Sequence, residues 1–96
     1  MEPEEAAMAV AKRWTVDIYI DEYEDRTRAE ARLRTQDPTR MTGVGTARRN
    51  PADPEVPEIG DEFAAARALS ELAHHLLEAA AADIEAVTRQ PAHLRS

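Results

Sequence analysis

Two adjacent histidines are the first side chains that suggest a chemical role, because imidazole is a common metal ligand. His74 and His75 lie in a helical stretch, where neighbouring side chains point about 100° apart and do not converge on one ion. Each has a carboxylate one helical turn away, Glu78 for the first and Glu71 for the second. We therefore predict two ordinary helical pairs and no metal site.

Arg48 and Arg49 could hold a small anion, since each guanidinium offers a fork of donors to phosphate or carboxylate. The alternative is an ordered strand exit in which Asn50 caps the following turn, and we favour it. The carboxylates of residues 21–25 (DEYED) lack the glycine and the spacing of an EF-hand loop. We predict that they form a solvated turn.

Motifs for nucleophilic or nucleotide chemistry do not occur. Ser70 lies within a helical stretch rather than in a Gly-x-Ser-x-Gly elbow. Gly43-Val44-Gly45 has neither the third glycine nor the following helix of a dinucleotide fingerprint. With 96 residues and 4% aromatic content, the chain also has little material for a catalytic pocket. We predict that it is not an enzyme, has no catalytic residue and binds no cofactor.

Charge and cysteine usage limit the partners and the compartment. The net charge is −7, which disfavours nucleic acid because binding to phosphate needs a basic surface. There is no cysteine, so disulfides and thiolate sites are excluded and an intracellular, cytoplasmic location is favoured. No stretch approaches the length of a membrane span, and the acidic start of the chain is unlike a signal peptide.

Alternating hydrophobicity predicts two strands. In residues 13–21 the apolar positions are expected to face the core, and they are Trp14, Val16, Ile18 and Ile20. Residues 27–35 alternate less strongly, with a small core face of Ala29, Ala31 and Leu33. The arginines of this second strand are expected to lie opposite Asp17 and Asp21 of the first, as ordinary cross-strand pairs.

Residues 41–49 (MTGVGTARR) are predicted to form a third strand, weakened by two glycines. Either Val44 and Thr46 or the set that includes Gly43 and Gly45 faces inward, and we prefer Val44 inward. Three prolines within residues 50–60 indicate a stiff loop before the final element.

Residues 60–88 are predicted to form a long helix, with an apolar stripe that includes Phe63, Ala66, Leu69, Leu72 and Leu76. Such a helix is roughly 40 Å long, whereas an eight-residue strand spans only about 27 Å. The helix should therefore project beyond the sheet while its stripe continues. The projecting residues form our candidate partner or dimer surface: Leu77, Ala80, Ile84 and Val87.

These elements predict an α+β fold, in which a three-stranded antiparallel sheet packs against one long C-terminal helix in the order β-β-β-α. Residues 13–90 form the domain. Residues 1–12 are predicted to be a flexible tail, with a short N-terminal helix as the alternative, and residues 91–96 a second tail.

Three motifs carry a family resemblance: WTVDIYIDE, TRAEARL, and the run that begins GVGTARRNPADPEVPEIGDEF. Together they make residues 13–88 resemble the actinobacterial family called domain of unknown function 1876. The resemblance implies a fold similar to the double-stranded RNA-binding domain (dsRBD-like) and implies no biochemical activity. In true domains of that kind a basic helix start follows the third strand, whereas here acidic residues stand at the corresponding place.

The leading functional prediction is a non-enzymatic interaction or regulatory protein that works as a homodimer or with a protein partner. Nucleic-acid binding, to double-stranded RNA or to DNA, is the alternative, and small-anion binding at Arg48 and Arg49 is a weaker one. The nucleic-acid contacts would come from the sheet and from the exit of the third strand: Arg28, Arg32, Arg34, Arg48 and Arg49.

Overall fold

The computed structural model describes residues 11–37, 40–50 and 56–89. They form three strands, β1 (Thr15–Glu22), β2 (Arg26–Arg34) and β3 (Met41–Arg48), and one helix, α1 (Pro57–Thr88). The predicted α+β fold, with its order of elements, is confirmed. The predictions for residues 1–10 and for the tail 91–96 lie outside the described residues.

The sheet is antiparallel throughout, with β2 between the two edge strands β1 and β3. Its register aligns the small core residues of β2 with both neighbours. Ala31 lies between Ile18 of β1 and Gly43 of β3, and Ala29 lies between Ile20 and Gly45. Ala29, Ala31 and Leu33 are buried as predicted.

Two glycines let α1 lie almost directly on β3. A methyl group at Gly43 would overlap the backbone of Ala68 and Leu72, and one at Gly45 would overlap the backbone of Ala64 and Ala68. Both glycines are buried, so the prediction that Val44 faces inward is wrong. A side chain at either position would hold the helix away from the strand, so the glycine face of β3 is the one that contacts α1.

The buried line of the helix consists of Ala64, Ala68 and Leu72, with Leu76 partly buried after it. The apolar stripe was predicted at the wrong position around the helix, because Phe63 is 54% exposed and Leu69 is 41% exposed. Large side chains do not fit where the two backbones approach so closely, and they lie on the flanks of the helix instead.

α1 begins at Pro57, three residues before the predicted start, with proline in the first turn where its missing N–H costs nothing. It ends at Thr88 and is capped by Arg89, whose left-handed conformation (φ 60°) lets its N–H donate to the Glu85 carbonyl at 2.6 Å. Its 32 residues make it about 48 Å long, against about 27 Å for β3. The predicted projection beyond the sheet is therefore present, and we call residues 77–88 the helix overhang.

Three side chains of α1 occupy the outer edge of β3. Arg67 donates to the Thr46 carbonyl at 2.7 Å, and the Val44 N–H donates to Glu71 Oε1 at 2.7 Å. His75 Nδ1 lies 2.8 Å from the Thr42 carbonyl and donates to it. The predicted pair of His75 with Glu71 is wrong, because both side chains turn to the strand. This edge cap satisfies backbone groups that would otherwise be open to another strand.

We predict that Gly43→Ala destabilises the fold by about 3 kcal/mol or more, because the added methyl group meets helix backbone that cannot rotate away. The measurement is urea unfolding at constant pH. Thr46→Ala is the control, since Thr46 is exposed and lies on the other face of β3. A Gly43→Ala variant as stable as Thr46→Ala would contradict the close approach.

We predict that Glu71→Ala lowers stability by about 1 kcal/mol by removing the acceptor of the Val44 N–H. Exchange of the Val44 amide hydrogen, followed by nuclear magnetic resonance, should accelerate about fivefold or more. Glu71→Gln keeps an acceptor oxygen and should retain most of the protection. Unchanged exchange at Val44 in the alanine variant would rule out the cap.

Candidate functional site

The apolar side chains of β1 lie on the helix side of the sheet, but the helix does not cover them. Val16, Ile18 and Ile20 are 40%, 38% and 40% exposed, and we call these three residues the β1 strip. Their register opposite Leu33, Ala31 and Ala29 confirms the predicted alternation. The prediction that they face a covered core is only partly correct, because α1 packs on β3 and β2 and hardly touches β1.

One flank of α1 faces the β1 strip. Arg67 and Glu71 lie on the flank that reaches the β3 edge, and Leu69 lies on the opposite flank at the helical periodicity of 100° per residue. Leu69 is 41% exposed. Trp14, 56% exposed, precedes β1 at the end of the sheet from which the helix projects. These residues enlarge the strip into one apolar surface that spans strand and helix.

The four predicted contact residues of the overhang continue the flank of Leu69. Helical periodicity places Leu77, Ala80, Ile84 and Val87 within an arc of about 80°, on the side of the helix away from the edge cap. Leu77 is partly buried, whereas Ile84 is 42% exposed and Val87 is 84% exposed. The candidate surface therefore has two parts, the β1 strip and the helix overhang.

Arg28, Arg32 and Arg34 of β2 lie on the other face of the sheet and are paired with acids. Arg34 lies 2.8 Å from Asp17, and Glu30 takes both Arg32 at 3.1 Å and Arg28 at 3.7 Å. The register places Arg32 directly opposite Asp17 as predicted, although the ion pair of Asp17 is with Arg34. The hydrogen bond from Arg32 is the main reason that the pKa of Glu30 lies below its usual range.

The exit of β3 borders an open cavity of about 330 Å³ between the β1–β2 hairpin and the start of α1. Arg48 is exposed there, and the backbone N–H of Arg49 donates to the Asp25 carbonyl at 2.8 Å. Both charge signs line this cavity, since Glu22, Glu24 and Asp25 accompany the arginines. The structure thus brings the two candidate anion ligands together, but among carboxylates.

The predicted pair of His74 with Glu78 is present at 3.2 Å. Within residues 11–37, 40–50 and 56–89, no group of three or more histidine, aspartate or glutamate side chains is arranged to hold a metal ion. Over the same residues, no helix has the length and apolarity that a membrane crossing requires.

Two carboxyl groups meet where the end of β1 lies beside the first turns of α1. A hydrogen bond to Asp61 and the negative charge of that residue raise the pKa of Glu22, with smaller effects of burial and of Glu58. Asp61 Oδ1 is buried and has no hydrogen-bond partner within the described ranges. A proton on Glu22 therefore relieves repulsion and supplies a donor to this site.

Sequence reasoning missed the edge cap, the carboxyl pair and the exposure of the β1 strip. Arg67, Glu71 and His75 recur every four residues, so a shared helix flank could have been noticed. The backbone groups of β3 that they contact could not have been predicted, because those contacts depend on which side of the helix borders β3.

We predict that Glu22→Gln stabilises the protein at neutral pH and reduces the loss of stability as pH rises from 4.5, the ordinary pKa of glutamate, to neutrality. The raised pKa of Glu22 means that its contribution is fully present below the ordinary value of 4.5 and is lost as pH rises through the folded-state value. Urea unfolding across this range measures the effect. Glu24→Gln is the control, since it removes the same charge from the same hairpin, and an identical response of both variants would contradict the pairing.

Comparison with known proteins places this architecture in a family. Residues 12–93 match the family model described as Rv2632c-like. The uncharacterized protein Mb1767 of Mycobacterium bovis is 59% identical over 85 residues, which cover 88% of this chain and 89% of the relative. The uncharacterized protein Rv2632c of Mycobacterium tuberculosis is 51% identical over 82 residues, or 85% of this chain and 87% of the relative.

The crystal structure of Rv2632c has the same fold, with a TM-score of 0.78 at 50% sequence identity. The match covers 88% of this chain and 99% of the solved one. The motifs of β1, β2 and β3 lie within the residues that this family model matches. This chain belongs to the Rv2632c-like family.

Proposed function

We propose that the chain is a non-enzymatic protein-interaction module whose working surface is the β1 strip, extended by Leu69 and the helix overhang. The observation that carries the proposal is the exposure of three successive inward positions of β1 at about two-fifths of their area. β-Branched side chains on the helix side of a sheet normally lie under cover. Contiguous exposed apolar surface of this kind is typical of interaction sites.

The free energy available at this surface is large enough to matter. Complete burial of a valine or isoleucine side chain contributes about 1.5–3 kcal/mol, so the exposed two-fifths of each strip residue represents about 1 kcal/mol. Three strip residues, Leu69 and Ile84 together could contribute several kcal/mol before the cost of association. Burial of these side chains against another protein is therefore a sufficient driving force for specific binding.

The chemistry-bearing side chains of the described residues support this function better than catalysis. His75, Glu71 and Arg67 are engaged by the backbone of β3, and His74 is paired with Glu78. Each contact has a structural purpose. The exposed apolar side chains of the β1 strip have no such contact with α1.

Nucleic-acid binding has less support. Three of the four arginines on the outer face of β2 are engaged by Asp17 and Glu30, and binding to phosphate through them would have to break those contacts. The chain as a whole is acidic, with a net charge of −7. An electrophoretic shift at low salt would overturn this ranking, because binding driven by phosphate is strongest there.

The proposal predicts that Ile18→Asp abolishes capture of a protein that the wild-type chain retains from an extract of its own cells. Val87→Asp should weaken capture, whereas Thr46→Asp, at an exposed position on the outer face of β3, should not. Each protein retained by the wild type is then purified and titrated calorimetrically against all variants. We expect at least a tenfold loss of affinity for Ile18→Asp, which corresponds to about 1.4 kcal/mol.

Thermal unfolding of Ile18→Asp shows whether the variant remains folded, which is expected because the side chain is already 38% exposed. If every retained protein, including a second copy of the chain, binds Ile18→Asp and the wild type equally, the β1 strip is not the working surface.

A further inference from the structure

The two edge strands of the sheet differ in whether their outward backbone groups have hydrogen-bond partners. On the β3 edge, α1 side chains bond the backbone of Thr42, Val44 and Thr46. On the β1 edge, no hydrogen bond from within the described ranges reaches the outward backbone groups of Thr15–Glu22. An eight-residue edge strand with open N–H and C=O groups is a template for another strand.

We infer that this edge pairs with β1 of a second copy, as an antiparallel strand pair that joins two sheets into one of six strands. The inference rests on the proposed function and names its partner. Ile18 of one copy lies opposite Ile18 of the other on a two-fold axis perpendicular to the sheet. Both helices then lie on the same face, with the two β1 strips side by side between them.

Register decides between the ways in which β1 can pair with itself. Directly opposite residues of an antiparallel pair point to the same face. Pairing in which Ile18 lies opposite Tyr19 therefore mixes the apolar strip with the polar outer face. Pairing centred on Tyr19 places Asp17 opposite Asp21 twice, and like charges directly opposite are destabilising.

Pairing centred on Ile18 avoids both faults. It places Val16 opposite Ile20 and Ile18 opposite Ile18, so β-branched side chains meet across the seam on the helix side. On the outer face it places Asp17 opposite Tyr19 and Thr15 opposite Asp21. No pair in residues 15–21 then joins two like charges.

Charge complementarity supports the same register. The guanidinium carbon of Arg32 lies 4.1 Å from the ring centroid of Tyr19, so a positive charge lies over this residue. In the proposed pairing, Tyr19 of one copy lies directly opposite Asp17 of the other. Arg32 is therefore brought towards a second carboxylate across the seam, on each side of the two-fold axis.

The residues that precede the domain fit this surface less well on charge. Residues 1–10 include Glu2, Glu4 and Glu5 and no lysine or arginine. If this segment returned along β1 from Trp14, its acidic start would approach the neighbouring carboxyl groups of Glu22 and Asp61, and like charges repel. A second β1 strand brings no such conflict.

Cysteine cross-linking tests the proposed register, because the natural chain contains no cysteine. An Ile18→Cys chain can form a disulfide only with another copy. Opposite Cα atoms in an antiparallel pair lie about 4.5–5.5 Å apart, which suits a disulfide. Tyr19→Cys and Val87→Cys are the matched controls, for the neighbouring register and for association through the overhang.

We expect the wild type to have the mass of a dimer in size-exclusion chromatography with light scattering. Under mild oxidation, Ile18→Cys should form covalent dimers at least tenfold faster than either control. If Ile18→Cys does not fold, a mixture of Val16→Cys and Ile20→Cys chains tests the same register, because those two positions lie opposite each other. The mixture should then form mixed disulfides faster than either variant alone.

A monomeric wild type at hundreds of micromolar, or faster cross-linking of Tyr19→Cys or Val87→Cys, would overturn the inference. The proposed function is judged separately by Ile18→Asp. If the wild type is monomeric and its Ile18→Asp variant loses binding of a different protein, the proposed function stands and the second copy is ruled out as the partner. A monomer that binds equally well with Ile18→Asp discards both.

Discussion

The close approach of α1 to β3 is the constraint on which the rest of the structure depends. Gly43 and Gly45 remove two side chains from the strand, and Ala64 and Ala68 present only methyl groups from the helix. The helix therefore settles against the strand backbone, near enough for side chains of its flank to reach the outer edge. The edge cap on β3 and the exposure of β1 both follow from this position.

This arrangement limits how much the interior can stabilise the fold. Among residues 11–37, 40–50 and 56–89, four of the six buried apolar residues are alanines, and Leu33 and Leu72 are the two larger ones. Alanine contributes little transfer free energy on burial, so stability must come also from dispersion contacts between the closely packed backbones. The larger apolar side chains lie on β1 and on the helix flanks, where part of their area still faces water.

Hydrophobic alternation was sufficient to predict β1 and β2, because each has side chains whose polarity changes with every residue. For β3 the strand was predicted, but its inward face was not, because the residues that contact the helix are glycines and the most apolar side chain, Val44, faces away from the helix. The helical stripe was misplaced for a related reason, since periodicity favoured Phe63 and Leu69 over the alanines that make the contact. The helix overhang could be predicted from the lengths of the elements alone. The exposure of the β1 strip could not, because it depends on the lateral position of the helix. That position is determined by glycines and alanines, which give no hydrophobic signal in the sequence.

Widths explain why one strand must remain uncovered. Three strands at about 4.8 Å spacing, with their side chains, present a face roughly 15 Å wide, whereas a helix is about 10 Å wide. A single helix can therefore cover two strands of such a sheet but not three.

A helix centred on β2 would cover β1 partly, but it would move Arg67, Glu71 and His75 away from the β3 edge and leave both edges open. The observed position places three α1 side chains on the backbone of the β3 edge and leaves the apolar β1 strip beside the other edge. Surface divided between two edges would bind weakly at each, whereas surface gathered at β1 offers one continuous site to a partner strand.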